Sequence, residues 1–87
     1  MFVILSYDIE VKRNQKVMKT VKQYLRPVQK SVFEGYISDR NLNRLKKEIA
    51  EIIEPEKDSV VIYCIEWGRP VTKEFIGKIC QNNSQIL

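Results

Sequence analysis

Three apolar runs alternate with two amphipathic segments in this 87-residue chain, and that order limits its fold more than any other feature. The runs are FVILSYDI at residues 2–9, SVFEGYI at 31–37 and SVVIYCIE at 59–66. Between them, apolar residues recur at helical spacing over about residues 13–25 and 38–55. The unbroken start of the first run is typical of a central strand covered on both faces.

This order predicts a small α+β two-layer sandwich of the ferredoxin-like kind, with elements in the order βαββαβ. Both helices would cover one face of the sheet. The other face also carries apolar residues from three strands and needs a second cover, which a second copy related by a two-fold axis would supply. Residues 1–87 are expected to form one domain. A chain this short has a thin core, which favours a homodimer.

The segment between the two predicted helices leaves two arrangements open. Pro27 is expected to end the first helix, because the residue before a proline is pushed out of the helical region. Residues 28–37 then form either one kinked strand or a compressed hairpin with a tight turn at Lys30. Gly35 indicates a bulge or a close backbone approach within this segment.

Positive charge is concentrated in the first half of the chain, although the net charge is only +4. Residues 1–47 carry eleven Lys and Arg against four acids, whereas residues 48–87 carry four against seven. Such a field attracts nucleic acid, an acidic partner or an anionic membrane without choosing among them. The first helix has a basic stripe opposite its apolar side, interpreted either as a solvated surface or as one that faces phosphates. The stripe consists of Lys12, Lys16, Lys19, Lys22 and Arg26.

Cysteine content and hydropathy argue against several classes of protein. Cys64 and Cys80 stand sixteen positions apart and the chain has no histidine, so neither a zinc site nor a redox pair is indicated. No run reaches the roughly 18 apolar residues of a membrane span, and the start lacks the features of a signal peptide. We expect a soluble, cytoplasmic, reduced protein with no membrane partner.

Asp8 is the most unusual residue of the first run, because its carboxylate closes a strand that is expected to be buried. Ligands tend to bind at such a sheet rim, although a rim aspartate is also a good cap or turn residue. Magnesium usually takes one or two carboxylates together with substrate phosphate. One aspartate alone is not a hydrolytic metal site, but in a two-fold dimer Asp8 of each copy would form a pair that holds one Mg²⁺.

Four segments together resemble the CRISPR-associated Cas2 family of small adaptation proteins. They are VILSYDI at residues 3–9, the basic stretch 13–16, VQKSVFEG at 28–35 and DSVVIY at 58–63. The resemblance covers residues 1 to about 66, which is expected to be the core of the domain. The tail, about residues 67–87, is more weakly similar to the family's carboxyl-terminal strands, which extend to the partner subunit in dimerisation.

This resemblance implies a nucleic-acid-binding homodimer that acts in spacer acquisition with a CRISPR integrase partner. It also implies Mg²⁺-dependent phosphodiesterase activity, as an endoribonuclease or endodeoxyribonuclease on RNA or DNA. Asp8 matches the family's metal-binding aspartate, and three further residues match positions near that site. The predicted catalytic set is Asp8, Tyr7, Ser31 and Phe33, and the predicted nucleic-acid-binding set is Lys12, Arg13, Lys16, Lys19, Lys22 and Arg26.

Two other functions stay open at this point. A basic dimer can bind duplex DNA through its phosphates without hydrolysis, as a scaffold, and Asp8 would then be structural. A ribonuclease toxin of the virulence-associated D type shares this fold and a similar opening strand, although the VQKSVFEG segment argues against it. An RNA-recognition module is not favoured, because SVFEGYI lacks the basic-glycine-aromatic pattern whose rings stack on bases.

Overall fold

A five-stranded antiparallel sheet and two helices make up the fold, in a computed structural model that describes residues 1–78. The strand order is β2-β3-β1-β4-β5. The sequence therefore predicted the α+β ferredoxin-like sandwich correctly, and the fifth strand extends its edge. The elements are β1 (Phe2–Asp8), α1 (Val11–Val21), β2 (Arg26–Gln29), β3 (Val32–Tyr36), α2 (Asp39–Ile52), β4 (Ser59–Ile65) and β5 (Thr72–Gly77).

The core lies between the two helices and one face of the sheet. Every second residue of β1 points toward the helices, so Val3, Leu5 and Tyr7 are buried. α2 begins after Ser38, whose hydroxyl accepts a hydrogen bond of 3.1 Å from the backbone N–H of Asn41 and so caps the helix. The helices bury Val17, Val21, Leu42, Leu45 and Ile49 against the sheet.

α1 ends at Val21, four residues earlier than the apolar spacing predicts, and Pro27 lies inside β2 instead of stopping the helix. Tyr24 and Leu25 follow the helix in a turn but still pack on the core. The Tyr24 hydroxyl donates a hydrogen bond of 2.9 Å to Glu48 of α2. Because these residues keep the apolar spacing after the helix has ended, periodicity alone extends the helix too far.

The segment that the sequence left open is the compressed hairpin. β2 and β3 are joined by a turn that contains Ser31, whose φ of 64° is incompatible with the strand predicted to begin there. The pairing shifts between Pro27 and Gln29, so the bulge lies in β2. Gly35 marks a close approach, since a Cβ at that position would lie 3.2 Å from Leu25 Cδ2.

The second face of the sheet has no cover from residues 1–78. β1 is the middle strand, as predicted, but the helices cover it on one side only, so Phe2, Ile4 and Ser6 are half-buried. Their neighbours in the antiparallel registers complete this surface, which we call the open face. It consists of Phe2, Ile4, Ser6, Asp8, Val32, Glu34, Tyr36, Ser59, Val61, Tyr63, Ile65, Lys73 and Phe75.

β5 comes from the tail that was predicted to reach a partner subunit. It pairs with β4 of its own chain, from Ser59 opposite Gly77 to Cys64 opposite Thr72. The remainder of that tail, residues 79–87, lies outside the described residues, so its reach to a partner stays a prediction. Across residues 1–78, no helix has the length and apolar character needed to cross a membrane.

Two glycines with positive φ allow a test of how tightly β5 is seated. A Cβ at Gly77 (φ 82°) would lie 2.4 Å from the Asp58 carbonyl oxygen, whereas one at Gly68 (φ 76°) would meet nothing within 4 Å. We expect Gly68→Ala to lower the free energy of unfolding by about 1–2 kcal/mol through backbone strain alone. Gly77→Ala should cost a further ~1–3 kcal/mol from the clash.

Chemical denaturation at one fixed protein concentration measures both losses, because the stability of an oligomer depends on concentration. Equal losses for the two variants would contradict the close seating of β5 against Asp58.

Candidate active site

Asp8 is the last residue of β1, and it is exposed at the rim of the open face. Strand alternation places it on the same face as Ile4 and Ser6, opposite Ser59 of β4. α1 is preceded by Glu10 at its N-cap, without a side-chain cap bond, so Asp8 is not the helix cap. A shallow cavity at this rim is lined by Ser6, Tyr7, Asp8, Ser59, Val60, Val61, Phe75 and Lys78.

Tyr7, Ser31 and Phe33 come together, but on the helix side of the sheet. The Tyr7 and Phe33 rings stack with centroids 6.0 Å apart and are only 7% and 2% exposed. The backbone N–H of Tyr7 donates to the Ser31 carbonyl at 3.1 Å. Burial raises the pKa of Tyr7, and a hydrogen bond with the Ser31 side chain opposes that shift. Of the predicted catalytic set, only the Asp8 side chain therefore belongs to the open face.

A buried ion pair lies behind this rim. Asp58, which precedes β4, is fully buried, and its two carboxylate oxygens accept hydrogen bonds from Arg13 Nε at 2.6 Å and Nη2 at 3.0 Å. The backbone N–H groups of Glu10 and Glu54 donate to the same carboxylate at 3.0 and 2.9 Å. The Asp58 carbonyl accepts the N–H of Lys78 at 2.8 Å. This arrangement, the Asp58 network, fastens three chain segments around the rim.

The Asp58 network shifts the pKa values of both charged partners. The hydrogen bonds from Arg13 hold the pKa of Asp58 well below its usual range, with help from the N–H groups of Glu54 and Glu10, although burial opposes the shift. The hydrogen bonds to Asp58 raise the pKa of Arg13. Both groups are therefore charged at any pH near neutrality, and the ion pair is permanent there.

Sequence reasoning missed Asp58, although it begins the DSVVIY segment. Arg13 and Asp58 are 45 positions apart, so no local pattern shows that they meet. One signal was available in the sequence. Asp58 directly precedes an apolar run, just as Asp8 directly ends one, so both acids stand at the end of a predicted strand. Nothing in the spacing decides which of the two acids is buried and which is exposed.

The predicted nucleic-acid-binding set divides into three groups. Arg13 is only 15% exposed in its side chain and is bonded to Asp58 and Glu10, so the structure gives it a structural role. Arg26 lies on β2, mostly exposed, with its guanidinium 3.7 Å from the Glu34 carboxylate. Four exposed cations remain on α1 or at its end, and we call them the α1 lysines. They are Lys12, Lys16, Lys19 and Lys22.

Among the described residues that line this rim, Asp8 is the one carboxylate. No group of three or more Asp, Glu or Cys side chains that could hold a metal ion occurs in residues 1–78. Mg²⁺ takes oxygen ligands and keeps several waters, so one or two carboxylates with a phosphate are sufficient. The donors at the rim therefore fit Mg²⁺ best when a second chain adds its own Asp8.

We expect Asp58→Asn to destabilise the fold, because it leaves Arg13 without its buried counter-charge. Breaking a buried ion pair from one side costs about 3–5 kcal/mol. Glu51→Gln makes the same type of change at an exposed position of α2 and should stay within about 0.5 kcal/mol of the parent. Denaturant unfolding of the three proteins measures the difference, and similar values for both variants would refute the structural role of Asp58.

The same network predicts how stability depends on acid. Because the folded pKa of Asp58 is depressed, its contribution is complete above the unfolded pKa of about 3.9 and is lost as the pH falls toward the folded value. The parent should therefore lose stability below about pH 4 more steeply than Asp58→Asn does. Parallel acid profiles for the two proteins would show that Asp58 does not carry this dependence.

Comparison with known proteins gives a consistent result. A family described as CRISPR associated protein Cas2 matches residues 1–68. The CRISPR-associated endoribonuclease Cas2 of Dictyoglomus turgidum is 37% identical over 87 residues, the full length of both chains. The CRISPR-associated endoribonuclease Cas2 2 of Moorella thermoacetica is 42% identical over 80 residues, which cover 85% of this chain and 88% of the relative.

Solved structures agree with the sequence matches. A structure described as a crystal structure of cas2 is 39% identical, with a TM-score of 0.70, over 79% of this chain and 87% of the other. Streptococcus pyogenes Cas2 at pH 6.5 is 28% identical, with a TM-score of 0.71, over 78% of this chain and 89% of the other. With its fold and most of its length matched, the chain belongs to the CRISPR-associated protein Cas2 family.

Proposed function

We propose that this chain is an endoribonuclease that works as a two-fold dimer, with Asp8 of each copy at a shared active site. The observation that carries the proposal is the position of Asp8, exposed at the rim of a sheet face that residues 1–78 leave uncovered. The names of the relatives, CRISPR-associated endoribonucleases, support the activity.

The open face supports the dimer. It presents half-buried apolar side chains such as Ile4, Val61 and Ile65 together with the exposed Phe75. Contiguous apolar surface of this kind marks an interaction site, because a soluble monomer rarely leaves it in water. A second copy matches it by symmetry, since a two-fold interface uses the same patch on both subunits. The thin core of a short chain gains from this added burial.

A two-fold axis near the end of β1 would turn one carboxylate into two. Asp8 lies at the end of the middle strand, so pairing of the open faces can bring the two copies of this residue together. The two Asp8 carboxylates would then hold Mg²⁺, which when bound polarises a phosphoryl oxygen and orients a water for attack. The chain has no histidine, so Asp8 is the residue that we assign to catalysis.

The other predicted catalytic residues support this site from behind. Tyr7 and Phe33 fill the core beneath β1, and the Ser31 carbonyl holds the Tyr7 backbone. We infer that they act by fixing the end of β1, and that the Asp58 network does the same from the turn before α1. A rigid rim matters because a metal-binding pair tolerates little displacement.

The α1 lysines favour nucleic acid as the partner. All four are exposed, and none forms an ion pair with an acid among residues 1–78. Lysines in this state bind phosphates without reading sequence, and their contribution falls as salt rises. We therefore propose that the dimer binds RNA or DNA along α1.

We also propose that the chain acts in spacer acquisition with a CRISPR integrase partner. That role is compatible with a second candidate function, a scaffold without catalysis. The α1 lysines of two subunits would also serve a scaffold that binds duplex DNA without cutting it. The family match speaks against the toxin alternative. Spacer uptake by an Asp8 variant in cells separates the two candidates: normal uptake favours the scaffold, and complete loss favours catalysis or an essential metal.

Asp8→Asn should abolish Mg²⁺-dependent cleavage of RNA or DNA while leaving the dimer intact, because it removes the metal-binding charge from an exposed position. Asp39→Asn is the matched control, the same chemical change at an exposed site at the start of α2. Gel assays with and without Mg²⁺ measure the cleavage. An Asp8→Asn protein that cuts as fast as the parent would place the site elsewhere or reveal a contaminating nuclease.

Val61→Asp should separate the dimer into single chains, because it buries an unpaired charge in the middle of the proposed interface. Ala50→Asp introduces the same side chain at an exposed position of α2 and should leave the dimer unchanged. Light scattering after size-exclusion chromatography gives the masses, and circular dichroism verifies folding. If folded Val61→Asp keeps the mass of two chains, the open face is not the interface.

A further inference from the structure

A second cleft lies on the opposite side of the molecule from the open face, between α1 and the β2–β3 hairpin. It lies away from Asp8 and the open face, although it shares Lys22 with the α1 lysines and borders the residues that fix the end of β1. Its volume is about 370 Å³, and sites for small molecules fall at about 300–1,000 Å³. We call it the α1–hairpin cleft, and its lining includes Asn14, Met18, Lys22, Gln29, Lys30 and Phe33.

The charge of the α1–hairpin cleft is entirely positive. Lys22, at the end of α1, and Lys30, in the hairpin turn, both line it and both are exposed. No Asp or Glu is among its lining residues. By contrast, the cavity at the rim combines Asp8 with Lys78. Two cations around a concave surface without an acid attract an anion, and phosphate is the common one that binds lysine as a point charge.

The rest of the lining fits a nucleobase. Asn14 and Gln29 carry amide groups, which pair with the donor and acceptor edges of bases. Half-buried Met18 supplies apolar contact, and Phe33 lies beneath the cleft with only 2% of its surface exposed. Sites for small ligands usually combine apolar surface with a few polar groups. Amide groups that can bind a heterocycle, next to lysines that can bind a phosphate, fit a ligand that contains both.

Two irregular backbone features border the same cleft. Ser31 is the one non-glycine residue of the described chain with a positive φ, and its carbonyl is held by the Tyr7 N–H. The bulge of β2 falls between Pro27 and Gln29, which both line the cleft. Strained residues and bulges concentrate at functional sites because they aim particular groups at a ligand. This observation is independent of the charge and the amides.

We propose that the α1–hairpin cleft binds one nucleotide, with its phosphate at Lys22 and Lys30 and its base at Asn14 and Gln29. The ligand is either a free nucleotide or one unpaired nucleotide of a strand, and both have the same chemistry. The strand form rests on the proposed nuclease function, because the active site would then act on the same strand. The cleft itself does not depend on that function.

A titration of the full-length chain with adenosine 5′-monophosphate, followed by two-dimensional NMR of the backbone amides, tests the site. We expect the amide signals of Asn14, Lys22 and Gln29–Ser31 to move together. Adenosine alone and inorganic phosphate alone should each bind at least ~10-fold more weakly, since each lacks one half of the ligand. Changes confined to other residues, or equal binding of phosphate alone, would overturn the proposal.

The double variant Lys22→Gln/Lys30→Gln removes the two cations. Its affinity for adenosine 5′-monophosphate should fall by roughly 10-fold or more, the size expected for lost charge-assisted hydrogen bonds. Lys47→Gln/Lys57→Gln makes the same charge change at exposed positions outside the cleft and should retain the parent affinity. Equal losses in both double variants would show a general field effect and refute the site.

Two further experiments complete the test. The first distinguishes a free nucleotide from a nucleotide of a strand, and the second distinguishes failure of the cleft proposal from failure of the nuclease proposal. A single-stranded tetranucleotide that displaces adenosine 5′-monophosphate from the cleft supports the strand form, and failure to displace it refutes that form. Asp8→Asn should bind adenosine 5′-monophosphate with the affinity of the parent and show the same shifts of the amide signals. If Asp8→Asn cleaves normally while the nucleotide still binds the cleft, the nuclease proposal fails and the cleft stands. If Asp8→Asn stops cleavage and no nucleotide binds the cleft, the reverse holds.

Discussion

The bonds to Asp58 hold together the part of the molecule on which the candidate site depends. Its carboxylate binds Arg13 and two backbone N–H groups, and its carbonyl binds a third, so the start of α1, the end of α2 and the end of β5 meet at one residue. All of its acceptors are used inside the fold. None of these bonds involves Asp8, whose exposed carboxylate is available to a ligand.

The two faces of the sheet differ in how far their apolar side chains are covered. The helix side is a finished core in which Val3, Leu5 and Tyr7 of β1 meet the helices. The open face also carries apolar side chains, but nothing within residues 1–78 covers it. A second copy would cover the apolar side chains of the open face, and it would also supply the second carboxylate that Mg²⁺ chemistry would use. The same surface therefore accounts for both the proposed dimer and the proposed active site.

Sequence reasoning succeeded where one local pattern decides the outcome. The continuous run at 2–9 predicted the middle strand, and the helical spacing from about residue 38 predicted α2. It failed where distant residues decide. The end of α1 was placed too late because Tyr24 and Leu25 pack on the core after the helix has stopped, and the hairpin was undecided because a bulge and Ser31 interrupt the alternation.

The candidate site was also predictable only in part. Asp8 could be singled out, since its carboxylate closes a largely apolar run. Its separation from Tyr7 and Phe33 follows from strand alternation, yet resemblance grouped the three residues together. Arg13 belongs to a basic stretch and was therefore predicted to bind nucleic acid. Its bond to Asp58 spans 45 positions, so the local sequence does not show it. Long-range pairing of this kind leaves no trace in spacing.

The most direct test of a shared site is the number of metal ions that each dimer binds. Calorimetric titration of the full-length chain with Mn²⁺, which accepts the same oxygen ligands as Mg²⁺, gives that number without any measurement of activity. A site made from two Asp8 carboxylates predicts one ion for every two chains, and no binding by Asp8→Asn. One ion for every chain, or unchanged binding by Asp8→Asn, would contradict the account.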